Sequence, residues 1–308
     1  MKKNNFSQVF NEIYNNCAKE IEGLRKKTVI KTILIIIVSI LIIKIAILFF
    51  YSLELPKELN ILMDLFFLIV IIIIILDIFL IENINKKYKL AYKLLAIKRL
   101  IETQDLSYQY YPKEGVDYED YYASKFDYGF DYLYSEDGIQ GNINSKVRFK
   151  MSQVTTKEYS SDGSYTTFKG LFGIIFFSET TKGKLEIIKN NNLKKYSKER
   201  INLDSAEFEK YYDVMSNNKI WALQLLTSEK IDSLIEIRNY FKKPIFIKIE
   251  SNRVYFRLEC GDVFEPTKWR KSVNFNLLYK YFRLIDIPRY IYDSFIINIA
   301  DIDNNKND

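Results

Sequence analysis

The chain contains no histidine among its 308 residues. That absence excludes every mechanism that relies on an imidazole: Ser-His-Asp and Cys-His nucleophile systems, and zinc sites with histidine ligands. Two cysteines, Cys17 and Cys260, are too few for a four-thiolate metal site or a disulfide framework. Ten glycines and five prolines exclude a fibrous or low-complexity linker protein. Glycine loops of the Walker or dinucleotide type, which cradle phosphates, are also missing. What abounds is apolar: 48% of the residues are hydrophobic and 16% aromatic, in a chain long enough for one large domain or two modest ones.

Two runs dominate the N-terminal third. Residues 33–51 read ILIIIVSILIIKIAILFFY, with Lys44 their one charge; residues 61–81 read ILMDLFFLIVIIIIILDIFLI, with Asp64 and Asp77 near the ends. Each is about the 20 residues that a helix needs to cross the hydrocarbon core of a bilayer. A cleavable signal peptide fits poorly, because the first run starts late, is too long and lacks a small-residue cleavage pattern. A short connection containing Pro56 makes the two spans an antiparallel hairpin. Residues 1–31 carry seven basic groups and residues 85–99 carry six, whereas the connection carries only Lys57. By the positive-inside rule, the expectation is a bacterial inner-membrane protein, multi-pass, with both termini cytoplasmic.

The predicted organisation is an amphipathic cytosolic helix over 1–30, spans over 31–52 and 61–82 joined by an external loop (53–60), and a stalk helix over 83–104. A cytosolic domain over 105–300 and a polar tail over 301–308 complete it. Phe6, Phe10, Ile13, Cys17, Ile21 and Leu24 recur at helical spacing, and Tyr88, Tyr92, Leu95, Leu94, Ile97 and Ile101 do so after the second span. The two helices are expected to pack as a stalk, with Cys17 on the packed face. Intramembrane charges usually have partners, so Lys44 is expected to reach Asp64, as a pin setting hairpin register or as a self-association contact. With Asp77, the same charges also fit an ion path if several chains assemble.

Charge separates the membrane flanks from the rest. Residues 100–308 carry 30 basic and 31 acidic groups, so the overall +6 resides in the flanks, where anionic lipid headgroups are the expected partner. A near-neutral domain without a basic stripe is not expected to bind nucleic acid. Residues 182–200, with seven basic groups, are the local exception and read as a solvated loop. Residues 108–134 concentrate tyrosine and acid, so Tyr118, Tyr121 and Tyr122, together with Trp221, form a candidate interaction surface for an unknown protein partner or small ligand.

From residue 130 the pattern is β: short aromatic or β-branched runs over 130–135, 139–143, 146–158, 165–177 and 184–189. Asp137-Gly138, Asp162-Gly163 and Lys182-Gly183 suit the positive-φ positions of hairpin turns. Asp204-Ser205-Ala206-Glu207 has capping-box spacing, and Thr227 or Ser228 opens a helix to about 241. A hairpin over 244–260 turns at Ser251-Asn252, and helices over 274–284 and 288–296 follow. The predicted fold class is α+β, with antiparallel strands and helices.

Several stretches resemble a bacterial family of membrane proteins, domain-of-unknown-function family 3137. They are Phe168-Lys169-Gly170-Leu171-Phe172, then Leu203-Asp204-Ser205-Ala206-Glu207-Phe208-Glu209-Lys210 with Tyr212-Asp213-Val214 behind it, then Leu226-Thr227 and Phe264-Glu265-Pro266. Between Val214 and Leu226 the chain departs from the more acidic, arginine-bearing pattern of the family. The resemblance implies an N-terminal helix, a two-helix hairpin and a cytosolic α+β domain; it implies no activity.

Candidate chemistry is sparse. The carboxylate clusters are Asp117/Glu119/Asp120, Glu136/Asp137 and Asp204/Glu207/Glu209/Asp213, none with the spacing of a metal-binding loop. The third suits a helix N-terminus. Cys260 reads as a strand-end core residue, and Glu265 as a turn anchor. No catalytic residue, metal or cofactor is expected, and the chain is not expected to be an enzyme. The leading expectation is a hairpin that tethers a cytosolic binding or scaffolding domain, with homo-oligomerisation open. The alternatives are an oligomeric effector or channel and, behind it, a metal-dependent hydrolase.

Overall fold

The structure is a computed structural model, which describes residues 3–52, 60–127, 129–190, 197–267, 271–272, 274–297 and 299. The connection between the two apolar runs, the polar tail and residues 191–196 of the basic stretch lie outside the described residues, as do the side chains of Phe6, Phe10 and Ile13. By contacts the chain divides into two units: residues 1–99 with 265–279, and residues 100–264 with 280–308.

The first unit is built on two long helices. α1 (Lys3–Ser52) runs without a break through the amphipathic stretch and the apolar run. α2 (Asn60–Tyr92) is followed by one wide turn, Lys93–Ile97, in which the N–H of Lys98 bonds Lys93 O, and then by α3 (Lys98–Gln104). Nothing in the sequence stops either helix where lipid would give way to water: Ile and Leu are followed by Lys, Asn and Tyr, without proline.

The sides of α1 are sorted by size and polarity. Cys17, Ile21, Thr28, Thr32 and Ser39 are buried, recurring every 11 residues in two series (17, 28, 39 and 21, 32). An 11-residue repeat keeps one face of an α-helix against a partner with little supercoil. Within the apolar run, the buried members are the small hydroxyl residues Thr32 and Ser39, while Ile33, Leu34, Ile36, Ile37, Ile40, Ile45 and Phe49 are exposed. The hydroxyls are satisfied locally: Thr28 Oγ1 donates to Leu24 O and Thr32 Oγ1 to Thr28 O, both at 3.0 Å. Tyr88, Tyr92, Ala96 and Ile97 supply the buried side of the opposite helix.

The second unit carries a nine-stranded antiparallel sheet. Its elements are β1 (Gln109–Tyr111), α4 (Tyr118–Ala123), β2 (Tyr132–Asn144), β3 (Val147–Ser160), β4 (Gly163–Phe176), β5 (Leu185–Lys189), β6 (Arg200–Ile201), α5 (Ala206–Glu209), β7 (Tyr212–Ser216), α6 (Lys219–Leu225), α7 (Ser228–Phe241), β8 (Ile245–Glu250) and β9 (Arg253–Leu258). In chain order α8 (Phe275–Ile285), which the division between the units cuts after Tyr279, and α9 (Ile287–Ile291) follow, the latter continuing as a wide turn over Tyr292–Ile296. The strand order is β1-β2-β3-β4-β9-β8-β5-β7-β6, which makes the unit α+β. β8–β9 turns at Ser251 (φ 57°) and β3–β4 at Gly163 (φ 129°), as the turn residues predict.

Asp137-Gly138 is not a hairpin turn. β2 runs through it, and the pairing steps from Glu136↔Gln153 to Ile139↔Met151, so two residues of β2 oppose Ser152 alone. Asp137 (φ 58°) is the left-handed residue of this bulge. A bulge and a turn make the same demand on φ, which is why the dipeptide was legible but its role was not. Gly170 and Gly173, by contrast, mark close packing: a Cβ on Gly173 would lie 2.3 Å from the Phe256 ring, and one on Gly170 2.1 Å from Leu258 O.

Alternation gives the sheet two buried sides. Phe149, Met151, Leu171, Ile175, Val254, Phe256, Ile247 and Ile249 occupy one. On the other, Val154, Phe172, Ile174 and Tyr255 pack with Val116, Tyr121, Phe130 and Phe168, so the tyrosine-rich segment lies across this face as its cover.

Candidate functional site

In the first unit, the register of the helix pair follows from one contact: Ser39 Oγ donates to Asp77 Oδ1 at 2.9 Å. With Ser39 level with Asp77, Lys44 is level with Ile72, eight residues and about 12 Å from Asp64. Among the described residues no ion pair joins Lys44 and Asp64, and both are exposed. The predicted Lys44–Asp64 pair assumed a register in which Lys44 stands level with about residue 67, five residues short of where the Ser39–Asp77 contact places it.

Below the apolar runs, Cys17 lies on the packed face, with its Sγ 3.8 Å from Leu95 O and accepting from Arg99 Nη1 at 3.5 Å. Arg99 also pairs with Glu20 at 3.1 Å. Glu265, expected to anchor a turn, instead bridges two lysines of the same unit: Lys89 at 2.8 Å and the buried Lys93 at 3.0 Å. Separated by more than 170 positions in sequence, this pairing left no periodic signal.

The site of the second unit is the sheet side under the tyrosine-rich segment. Tyr121 is buried, and its hydroxyl donates to Asp127 Oδ2 at 2.5 Å. Arg257 Nη1 donates to Asp127 Oδ1 at 2.7 Å. The guanidinium lies over the Phe126 ring at 4.9 Å, and Lys248 Nζ donates to Lys125 O at 2.6 Å. Burial in this cluster pushes the Tyr121 phenol well above the usual range, and the Asp127 charge adds to the shift.

The four residues expected to form one interaction surface are thus divided. Tyr118 and Tyr122 are exposed, their rings stacked at 5.9 Å one helical turn apart. Tyr121 belongs to the core. Trp221 is also buried, in α6, where Asn218 caps the helix by accepting from its backbone N–H at 3.2 Å. A small residue opposite makes room for the indole: a Cβ on Gly183 would lie 3.0 Å from it. The carboxylate clusters are absorbed by structure as well. Lys150 pairs with Asp120 and Asp117 at 3.3 and 3.7 Å, Asp137 accepts from Tyr110 at 2.5 Å, and Arg200 holds Asp213 at 3.0 Å. Glu209 accepts from the Leu203 N–H at 2.8 Å.

A trough missed by sequence reasoning runs beside this cover, along β2 and β3. Three cavities of about 300, 250 and 330 Å³ follow one another, the first two sharing Gln140 and Lys150, the last two Asn142 and Arg148. Cross-strand register aligns the lining: Asn142↔Arg148↔Phe176↔Arg253 in one row, and Gln109↔Gln140↔Lys150 in the next. Tyr108 packs on the opposite side of the sheet, over Gly141, its ring meeting Phe149 edge-on at 4.9 Å.

Residues 166–295 match the family model described as "Protein of unknown function (DUF3137)". The stretches from Phe168 to Pro266 that suggested the family fall inside the match; helices α1 to α3 lie outside it. No curated protein matches the chain. Among solved structures, the chain is similar to the mycobacterial trehalose monomycolate transport factor A, TtfA, at 8% identity and a TM-score of 0.32, over 62% of this chain and 92% of that one.

Proposed function

We propose that this chain, residues 166–295 of which match the DUF3137 family model, is a membrane-anchored binding protein of the bacterial inner membrane and not an enzyme. In this reading α1 and α2 cross the bilayer as a hairpin, and the flanking segments and the sheet unit are cytoplasmic. The unit binds a ligand or protein partner there. The observation that carries the reading is the inverted sorting of the apolar runs: Thr32 and Ser39 face the neighbouring helix, while Ile, Leu and Phe are exposed all along both helices. Water penalises such a surface, whereas lipid favours it, and small residues at the contact are how helices approach closely in a bilayer. Both helices are long and apolar enough to cross. The basic flanks would rest on anionic headgroups, and a partner nucleic acid is not part of the proposal.

Alkaline carbonate extraction of membranes tests the anchor, with the chain expected in the pellet. Reporter fusions after residue 308 and within residues 53–59 test orientation, with a cytoplasmic signal expected from the first and an external one from the second. A chain released by carbonate, or an external signal from the first fusion, would overturn the reading.

A further inference from the structure

Of the three neighbouring sheet rows that run through Arg148, Lys150 and Arg257, two hold their charge in ion pairs and one is an exception. In the row that holds Lys150 and Lys248, Lys150 is met by Asp120 and Lys248 lies 3.6 Å from Glu186. In the next, Arg257 is held by Asp127. The exception is the row at the end of β3, β4 and β9. Arg148 and Arg253 flank Phe176 in direct register, with their guanidinium carbons 4.7 and 5.5 Å from the centroid of the same ring. Arg253 Nη1 donates to the Tyr255 hydroxyl at 3.3 Å, and among the described residues no carboxylate forms an ion pair with either arginine. The cross-strand neighbour Glu250 is engaged by Lys184 at 3.9 Å.

These arginines border the 330 Å³ cavity at the end of the trough. Its other lining residues are Lys146, neutral Asn142, Ser145, Ser178 and Asn252, and apolar Val147, Phe176 and Phe177; no carboxylate lines the cavity itself, and Glu179 beside it accepts from Ser178 and interacts with Lys146. Two guanidiniums held against one ring repel each other, and the ring quadrupole offsets only part of that. An oxyanion within reach of both would supply a counter-charge, and guanidinium forks match its geometry.

We propose that the cavity bordered by Arg148, Phe176 and Arg253 binds a phosphate group, presented by a soluble phosphate compound or by a phospholipid headgroup. Phosphate suits the lining better than carboxylate, because three cations and the donors of Asn142, Ser145 and Asn252 exceed what two planar acceptor oxygens can use. The proposal rests on the binding role proposed above and gives it a ligand class; it does not depend on the orientation of the helices.

The test is calorimetric titration of the detergent-solubilised full chain with inorganic phosphate, pyrophosphate and dihexanoyl phosphatidylglycerol, in the native chain, in Arg148→Ala/Arg253→Ala and in Arg148→Lys/Arg253→Lys. Binding of at least one probe is expected, weakened at least about tenfold in the alanine pair and less in the lysine pair. A response to phosphate or pyrophosphate assigns the soluble source, and a response to phosphatidylglycerol alone assigns the headgroup. Circular dichroism confirms that the variants fold; both arginines are partly or fully exposed, so the sheet should persist. The proposal is overturned if none of the probes binds the native chain, or if the alanine pair binds as tightly as the native chain. Carbonate extraction is read separately, so loss of phosphate binding leaves the membrane anchor standing.

Discussion

Ser39 donates a hydrogen bond to Asp77 between two helices whose apolar runs otherwise expose Ile, Leu and Phe. The contact does what was expected of Lys44 and Asp64: it fixes the register of the pair. Ser39→Ala and Asp77→Ala should each weaken helix association by about 1 kcal/mol, and the double variant should cost no more than the larger single one. Denaturation in mixed micelles, analysed as a double-mutant cycle, measures this; fully additive losses would mean that the bond contributes nothing.

Glu265 faces one buried and one exposed lysine, and that asymmetry is testable. Glu265→Ala removes a carboxylate 3.0 Å from the buried Lys93 and should cost about 3 kcal/mol. Lys89→Ala removes a half-exposed partner and should cost under about 1 kcal/mol. Thermal denaturation in detergent separates the two; equal effects would contradict the geometry.

Alkali should unfold the sheet unit through its buried phenols. Burial raises the folded-state pKa of both Tyr121 and Tyr212 above the unfolded value of about 10. The folded chain therefore binds more protons than the unfolded one above that pH. Stability is full below about pH 10 and falls as pH rises, by up to about 1.4 kcal/mol per pH unit for each phenol. Tyr121→Phe should make the decline shallower, at a cost near neutral pH of about 1 kcal/mol for the lost bond to Asp127. Urea midpoints between pH 8 and 11 test this; an unchanged slope in the variant would refute it.

Gly173 has no room for a methyl group. Gly173→Ala would press on the Phe256 ring and on Met151 Cβ, 2.8 Å away, and should cost about 1–3 kcal/mol. Paired with Phe256→Leu, the loss should shrink, which a denaturation cycle would detect.

Local signals were readable and distant ones were not. The Ser251-Asn252 turn, the Ser205 cap on Phe208 and the packed face around Cys17 and Tyr88 each depend on neighbours within one or two turns of chain. β7 escaped notice because all five of its residues are buried, which leaves no alternation to see. Tyr121 and Trp221 were read as surface residues because aromatic rings serve cores and interfaces alike. Arg148 and Arg253 stand 105 positions apart and became neighbours only through the insertion of β9 beside β4, a pairing order that composition does not reveal.

The bulge in β2 has a consequence for anyone altering this strand. On its N-terminal half, odd-numbered Leu133 and Ser135 point to the side covered by the tyrosine segment, whereas past Gly138 it is even-numbered Gln140 and Asn142 that share that side with Lys150 and Arg148. Parity thus reverses midway. Deleting a single residue at 137 or 138 would restore one uninterrupted ladder and leave every remaining side chain on its present side, whereas a deletion elsewhere in β2 would slip the register of the residues beyond it and turn them inside out.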